Sequence, residues 1–238
     1  MEFWLTFLEK FNTAFIEGGR WKLYARGVCT TAEVTVFALI MGIALGVLVA
    51  VVRTAHDQQR PGSRNFLLGI VNAVCQVYTT VIRGTPMIVQ MLIMGAVIFA
   101  SSRNFTMIGA LALGINSGAY VAEIVRAGLM SVDIGQTEAG RSLGLGYVDT
   151  MRFIIIPQAF KNILPALSNE FITLFKDTAL ITTIGGKELL YAAKAVGNKT
   201  FDLMFPLLGV AFIYLVLVSI FTWLQGKLEK KLHESDRR

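Results

Sequence analysis

The sequence predicts an all-α protein built as a polytopic membrane helical bundle. Of its 238 residues, 54% are hydrophobic and only 16% are charged, and the mean hydropathy of +0.60 is too high for a soluble domain. Several apolar stretches are long enough for a helix to cross about 30 Å of hydrocarbon. The net charge of +6 fits the Lys and Arg that membrane proteins collect in cytoplasmic loops and tails, so no nucleic-acid partner is expected.

The N-terminal segment, residues 1–26, is predicted to lie in the membrane interface. Aromatic and aliphatic residues recur at helical spacing over residues 3–16, and Glu9 and Lys10 stand between them. This pattern is typical of an amphipathic helix in the plane of the interface. The same charged residues leave no basic end followed by an apolar run, so no cleavable signal peptide is expected.

The transmembrane domain is predicted to cover residues 27–226 and to contain about five helices that cross the membrane. We place these spans at residues 28–52, 86–100, 107–129, 161–184 and 206–224. Polar residues interrupt the apolar stretch 66–82, so it is ambiguous, and we assign it to the inner interface. Gly42 and Gly46 form a small-xxx-small face in the first span, which favours close packing of another helix.

Basic residues orient these spans. Arg and Lys surround a loop at residues 130–160 and recur in a basic C-terminal tail at residues 227–238, which includes Arg237 and Arg238. By the positive-inside rule both segments face the cytoplasm, and the N-terminus then faces outside. A further cytoplasmic loop is predicted from the residues Arg53, Arg60, Arg64 and the turn Pro61-Gly62. Basic residues near the N-terminus, namely Arg20, Lys22 and Arg26, argue against this orientation.

A polar segment punctuated by glycine lies between two apolar ones and reads GQTEAGRSLGLGYVDTMRFIIIP, from residue 135 to 157. Its first residues are compatible with a helix, and Gly144 and Gly146 then interrupt it. A second apolar run ends at Pro157, where helix continuation is disfavoured. The segment therefore predicts a short helix, a glycine turn and a second helix.

This segment resembles the EAA loop of inner-membrane permease subunits of ATP-binding-cassette (ABC) importers. In that pattern Glu-Ala-Ala is followed after three residues by Gly and then by a hydrophobic helix, and here Glu138-Ala139-Gly140 and Gly144 take these places. Stretches that resemble the polar amino-acid uptake branch occur in the family's order: IRGTPMIVQ, AYVAEIVRAGL, PQAFKNILPALSNEFI and FKDTAL. Gly140 replaces the family's second Ala and Ala179 a frequent Ser, and the glycine is expected to loosen the loop helix.

The resemblance implies a type I ABC importer permease fold in the bacterial cytoplasmic (inner) membrane. It implies that the loop helix docks on a cytoplasmic ATPase through Gln136, Glu138, Ala139, Arg141 and Gly144. The expected partners are two ATPase subunits that bind the ATP, an extracytoplasmic amino-acid-binding protein, and an identical or homologous second permease. The alternative for Glu138 and Arg141 is a surface ion pair within one helix.

Other chemistry is not expected in this chain. A P-loop needs Gly-Lys-Ser/Thr, whereas Gly186-Lys187 is followed by Glu188. The two histidines, His56 and His233, are isolated, so no metal site, catalytic residue or cofactor is predicted. Cys29 and Cys75 lie in apolar surroundings and are expected to be buried free thiols.

Glu170 and Asp177 are two carboxylates inside the apolar zone, where each costs about 2.5–3.5 kcal/mol at the centre of a membrane helix. Their spacing of seven residues places them on nearly one helix face, about 10 Å apart along the axis. We interpret them as substrate contacts, because the resemblance places matching acidic positions at a substrate pocket. The alternative is structural pairing with a basic residue such as Arg126 or Lys176.

Arg83 is a candidate for the carboxylate of the substrate, because its planar fork suits bidentate recognition. The alternative is a simple interface anchor. Gln90 shares its helix face only if the helix continues through Pro86. Two unpaired carboxylates favour a cationic amino acid, whereas a Lys or Arg that neutralises one of them suits a neutral polar one.

The sequence therefore predicts the permease subunit of an ATP-driven amino-acid importer, which forms half of the translocation pathway and couples to an ATPase. The alternative is a proton-coupled secondary amino-acid carrier in which Glu170 and Asp177 titrate. That alternative leaves the loop at residues 130–160 unexplained, and no inverted repeat supports it. An intramembrane enzyme or a purely structural subunit is a third possibility, but the sequence has no nucleophile-base or metal pattern.

Overall fold

The computed structural model describes residues 2–59 and 65–234, and in these ranges the chain is helical and contains no strand. The α-helices are α1 (Glu2–Phe11), α2 (Trp21–Asp57), α3 (Phe66–Gly84), α4 (Met87–Ile93), α5 (Phe105–Met130), α6 (Ile134–Ser142), α7 (Tyr147–Thr150), α8 (Ile156–Asp177), α9 (Leu189–Thr200) and α10 (Met204–Glu234). The predicted all-α class is confirmed. The chain divides into two compact units, which we describe separately.

The first unit comprises Met1–Ala38, Pro86–Leu113 and Ile172–Thr222. Its core forms where α9 packs against α2 and α10, through Tyr24, Leu189 and Val210. The backbones approach closely here, because a Cβ on Gly27 would lie 2.8 Å from the Cα of Leu189.

Glu188 is a buried carboxylate at the start of α9, with 1% of its surface exposed. It caps the helix by accepting hydrogen bonds from the N–H groups of Leu190 and Tyr191, each at 2.8 Å. The hydroxyl of Tyr214 donates to it at 3.2 Å, and that of Thr182 donates as well. A buried carboxylate is tolerated when donors surround it in this way, so Glu188 is a structural residue.

The second unit comprises Leu39–Thr85, Gly114–Phe171 and Trp223–Arg238. Here α2 and α5 pack closely at the two glycines of the predicted small-residue face. A Cβ on Gly42 would lie 2.7 Å from Oγ of Ser117, and one on Gly46 would lie 2.6 Å from Cβ of Val121. The predicted close packing at these glycines is confirmed.

Four of the described helices are long and apolar enough to cross a membrane: Trp21–Asp57, Phe66–Gly84, Phe105–Met130 and Met204–Leu232. Three of them contain predicted spans, but the fourth is α3, which we had assigned to the interface. The predicted span 86–100 contains only the apolar helix Met87–Ile98, which at about 18 Å is too short to cross alone. The assignment of α3 to the inner interface stays a prediction, and Arg83 at its end lies beside Glu123, in the half of α5 that leads into the loop at residues 130–160.

The predicted span 161–184 differs in form, because α8 ends at Asp177 and a 3₁₀-helix, Thr178–Ile184, follows it.

The prediction that a helix ends at Pro157 is wrong. Helix continues from Tyr147 through a π-helical turn, Met151–Ile155, into α8. In this turn the N–H of Ile156 bonds to the carbonyl of Met151 five residues back. The widened turn accommodates the proline ring and its missing N–H immediately afterwards.

The N-terminal helical pattern is confirmed by α1 and by the π-helical turn Asn12–Ile16 that follows it. Arg53 belongs to α2 rather than to the predicted loop. The other predicted loop residues, Arg60, Pro61, Gly62 and Arg64, lie outside the described residues, as do Arg237 and Arg238. Cys29 and Cys75 are free thiols as predicted, but Cys29 is exposed and Cys75 is half-buried, so the expected burial is wrong.

Candidate functional site

The loop helix predicted from the EAA-like segment is α6, and both of its ends are fixed by local hydrogen bonds. At the N-terminus the carboxylate of Asp133 accepts from the N–H of Gly135 at 2.7 Å. At the C-terminus the N–H groups of Gly144 and Leu145 bond to the carbonyls of Arg141 and Gly140, each at 3.0 Å. This Schellman arrangement needs the positive φ of +78° at Gly144, which glycine adopts without strain.

The inner side of α6 rests on α7 and α8. Gly140 is buried, and a Cβ at this position would lie 2.9 Å from both Cγ2 and Oγ1 of Thr150. The amide of Gln158 also donates to the amide oxygen of Gln136 at 3.2 Å. Gly140 therefore permits close packing of α6, and the expectation that this glycine loosens the helix overlooked that contact.

The outer side of α6 is exposed and carries the predicted docking residues. Gln136, Glu138, Ala139 and Arg141 are all exposed, as is Gly144. The ion pairs in the described part of the chain do not include one between Glu138 and Arg141, so the alternative, a surface ion pair within α6, is not observed. Two large apolar side chains flank this polar face, with Ile134 76% and Leu143 78% exposed. Such a mixture of apolar and polar groups suits a protein interface.

Glu170 is half-buried in the second unit, where the hydroxyl of Ser117 on α5 donates to its carboxylate at 2.8 Å. The predicted structural partner of Glu170, Arg126, lies elsewhere: its Nε is 3.6 Å from a carboxylate oxygen of Asp57. Ser117 is fully buried on α5. The structure gives it a definite role as a donor to Glu170.

Arg83 lies at the C-terminal end of α3 and faces α5. Its guanidinium is 3.7 Å from the carboxylate of Glu123 and 5.5 Å from the ring centroid of Tyr120, a cation–π distance. Gln90 does not share its helix face, because α3 ends at Gly84 and Thr85 is extended before Pro86.

Asp177 belongs to the first unit and is the last residue of α8. Its side chain is half-buried, while the neighbouring Lys176 is exposed and points to a different side of the helix. Within the described residues, no group of three or more His, Cys, Asp or Glu side chains could hold a metal ion.

Sequence reasoning missed two charged residues of the second unit, Glu123 and Arg53. Arg53 forms an ion pair with Glu123, and its guanidinium also lies 3.5 Å from the hydroxyl of Thr79. A signal for Glu123 was present, because Ser117, Tyr120 and Glu123 recur every three residues along α5 and so lie close to one face. Arg53 carried no such signal, because its pairing depends on how α2 meets α5.

Comparison with known proteins agrees with this architecture. Residues 42–234 match the family model described as binding-protein-dependent transport system inner membrane component. A relative from Rickettsia bellii (strain RML369-C), named as the glutamine transport system permease GlnP, is 37% identical over 212 residues, which cover 87% of this chain and 91% of the relative. The arginine transport system permease ArtQ of Bacillus subtilis (strain 168) is 35% identical over 213 residues, with 88% and 92% covered.

Solved structures show the same similarity. A chain in the crystal structure of an amino acid ABC transporter with histidines has a TM-score of 0.79 and 37% identity, with 88% of this chain and 94% of that chain covered. A chain of the MetNI methionine ABC transporter shares the fold, with a TM-score of 0.76 at 18% identity, and the match covers 91% of this chain and 99% of that one. These matches give no support to the proton-coupled carrier. This chain belongs to the family of binding-protein-dependent transport system inner membrane components and is a multi-pass permease subunit of an ABC transporter.

Proposed function

We propose that this chain is the permease subunit of an ATP-driven amino-acid importer and forms half of its translocation pathway. Relatives named for glutamine, arginine and cystine transport support an amino acid as the substrate. ATP is bound and hydrolysed by two separate cytoplasmic subunits, and an extracytoplasmic binding protein delivers the amino acid. A second permease subunit completes the pathway.

The observation that supports this proposal most directly is that α6 has one exposed side and one packed side. Its outer side presents Glu138 and Arg141 to a partner, and its inner side is held by the contact between Gly140 and Thr150. A force that an ATPase applies to the exposed side is therefore passed to α7 and α8 rather than absorbed by a loose loop. We propose Gln136, Glu138, Ala139, Arg141 and Gly144 as the residues of this coupling surface.

Charge reversal at Glu138 tests the coupling proposal. Glu138→Lys leaves the packed side of α6 intact but replaces an anion with a cation at the interface with the ATPase. A partner surface that is complementary to Glu138 then faces a like charge, which opposes association. We expect the ATP hydrolysis stimulated by the binding protein to fall about tenfold or more, as for one lost charged contact at an interface. The measurement is stimulated ATPase activity of the reconstituted complex in nanodiscs.

The control for this experiment is Glu9→Lys, which reverses another exposed glutamate, on α1. We expect this variant to retain stimulated activity. Unchanged stimulation in Glu138→Lys, with the complex assembled as in the wild type, contradicts the role of α6 in coupling.

We further propose that Glu170, Arg83 and Asp177 contact the transported amino acid. In the second unit, Glu170 meets α5 at Ser117 and Arg83 meets it at Tyr120 and Glu123. The rise along α5 from residue 117 to 123 is about 9 Å. An amino acid that bonds a carboxylate through its ammonium and a guanidinium through its carboxylate holds those two partners apart by a similar distance. Asp177, in the first unit, is proposed separately as an acidic contact along the pathway.

A further inference from the structure

Three charged side chains of the second unit form a cluster with one carboxylate and two guanidinium groups. Glu123 of α5 pairs with Arg53 of α2 and also with Arg83 of α3, the latter at 3.7 Å. The cluster therefore carries one positive charge in excess. Uncompensated charge is costly in a membrane helix bundle, so a second anion at this place lowers the free energy of the whole arrangement.

The two arginines hold Glu123 unequally. Arg53 is 14% exposed and is also positioned 3.5 Å from the hydroxyl of Thr79, so it is fixed on two sides. Arg83 is 43% exposed, and its distance of 3.7 Å to Glu123 is longer than the 2.7–2.9 Å of a charge-assisted hydrogen bond. Its guanidinium also rests over the ring of Tyr120 at 5.5 Å. Arg83 is therefore the arginine that can change its partner while Arg53 retains Glu123.

We infer that Glu123 is a resident carboxylate that holds Arg83 in the absence of substrate and is displaced from it by the carboxylate of the bound amino acid. This inference rests on the proposed function and adds to it a residue that sets affinity. Arg53 keeps the charge of Glu123 compensated after the exchange. When the substrate leaves, Glu123 takes Arg83 back, so the exchange limits how tightly the pathway holds its cargo.

The exchange has an expected consequence for binding. Removing the charge of Glu123 releases Arg83 from a competing partner, so Glu123→Gln should bind the amino acid about two- to fivefold more tightly, the range of a weak, partly exposed ion pair. Removing the guanidinium in Arg83→Gln should weaken binding about tenfold or more, as for a charge-assisted hydrogen bond. Neither change should alter the binding of an analogue that lacks the carboxylate.

The test is equilibrium binding to the permease–ATPase complex in nanodiscs without the binding protein. The probes are L-arginine and L-glutamine, each compared with its α-carboxamide, and the measured quantity is the ratio of the dissociation constants of amide and acid. We expect the ratio to rise in Glu123→Gln, to fall toward one in Arg83→Gln, and to take an intermediate value in Arg83→Lys, which keeps the charge but loses the planar fork. In the double variant Glu123→Gln with Arg83→Gln, the gain from the first change should disappear.

The matched control is Asp57→Asn, which removes the carboxylate of the neighbouring ion pair with Arg126. This change should leave the ratio at the wild-type value. Equal weakening of acid and amide in Glu123→Gln would mean that Glu123 serves folding or meets the amino group, and that result overturns the inference. An unchanged ratio in Glu123→Gln, or in both substitutions of Arg83, overturns it as well.

This test separates the inference from the proposed function. If the wild-type complex binds neither amino acid but hydrolyses ATP in response to the binding protein, the inference is wrong and the importer function stands. If stimulation is absent with every amino acid and every variant, the proposed function itself is wrong.

Discussion

Glu170, Glu123 and Glu188 show three ways in which this chain accommodates a carboxylate among apolar helices. Glu188 is surrounded by donors at the start of α9, Glu123 is shared by two arginines, and Glu170 accepts from the hydroxyl of Ser117. Only Glu188 is itself buried, with 1% of its surface exposed. Glu123 and Glu170 are half-buried, which suits the contact with a transported ligand that we propose for this unit.

Asp177 offers a test at the level of one residue. Asp177→Asn keeps the shape of the side chain and removes its charge, so it should weaken transport about tenfold, as loss of one charge-assisted hydrogen bond does, while assembly and the basal ATPase rate persist. Uptake of L-arginine and L-glutamine by proteoliposomes measures the effect. Asp149→Asn, at an exposed position of α7, is the control. Joint loss of assembly and transport in Asp177→Asn would instead assign this residue to structure.

At the scale of elements, α6 depends on a glycine that the sequence alone had marked as a weakness. Glycine lowers helix propensity, so Gly140 in place of the family's alanine suggested a looser helix. In the structure the missing side chain is what brings α6 against Thr150. The cost of a glycine in a helix cannot be judged without knowing what packs against it.

Gly140→Leu tests this packing. The added side chain meets Thr150 and Ile154 at short distance, so α6 should be displaced at a cost of about 1–3 kcal/mol, the range for overpacking. We expect a lower melting temperature and a loss of stimulated ATPase activity even though Glu138 is unchanged. The matched control is Gly69→Leu, because a Cβ at this glycine of α3 would meet nothing within 4 Å. Equal behaviour of the two variants would contradict the packing argument.

The helices between residues 147 and 177 include a feature that the sequence did not predict. Pro157 indicated the end of a helix, because proline disfavours helix continuation. The π-helical turn that lets the helix continue has no simple sequence signature, because it depends on the shift of a hydrogen bond by one residue. Gly42 and Gly46 were predicted correctly, since their spacing of four places both on one face regardless of the partner.

At the scale of the whole molecule, the predicted orientation has a direct test. In a variant without Cys29 and Cys75, single cysteines are introduced as Gln136→Cys, Asn198→Cys and Lys230→Cys, all at exposed positions. An impermeant thiol reagent applied to intact cells should label only the cysteine at position 198, because α6 and the end of α10 face the cytoplasm. Labelling at position 136 would overturn both the orientation and the coupling role of α6.

How much of the molecule the sequence could predict differs between its parts. The all-α class, the loop helix and the carboxylate at residue 170 follow from local composition and spacing. The partners of Glu123 do not, because they depend on contacts that appear only when the helices are assembled. Arg53 is the clearest example: a basic residue after an apolar run is typical of a cytoplasmic loop, but α2 extends to Asp57, so Arg53 is half-buried and pairs with Glu123.

The central claim, that ATP hydrolysis by partner subunits drives amino-acid uptake through this chain, is tested most directly in proteoliposomes that contain the complete complex. Uptake of L-arginine or L-glutamine in the presence of the binding protein is compared under two driving forces, ATP supplied to the ATPase subunits and an imposed proton gradient without ATP. We expect uptake with ATP, its loss in Glu138→Lys, and none with the gradient alone. Uptake that follows the proton gradient and persists without ATP would contradict it.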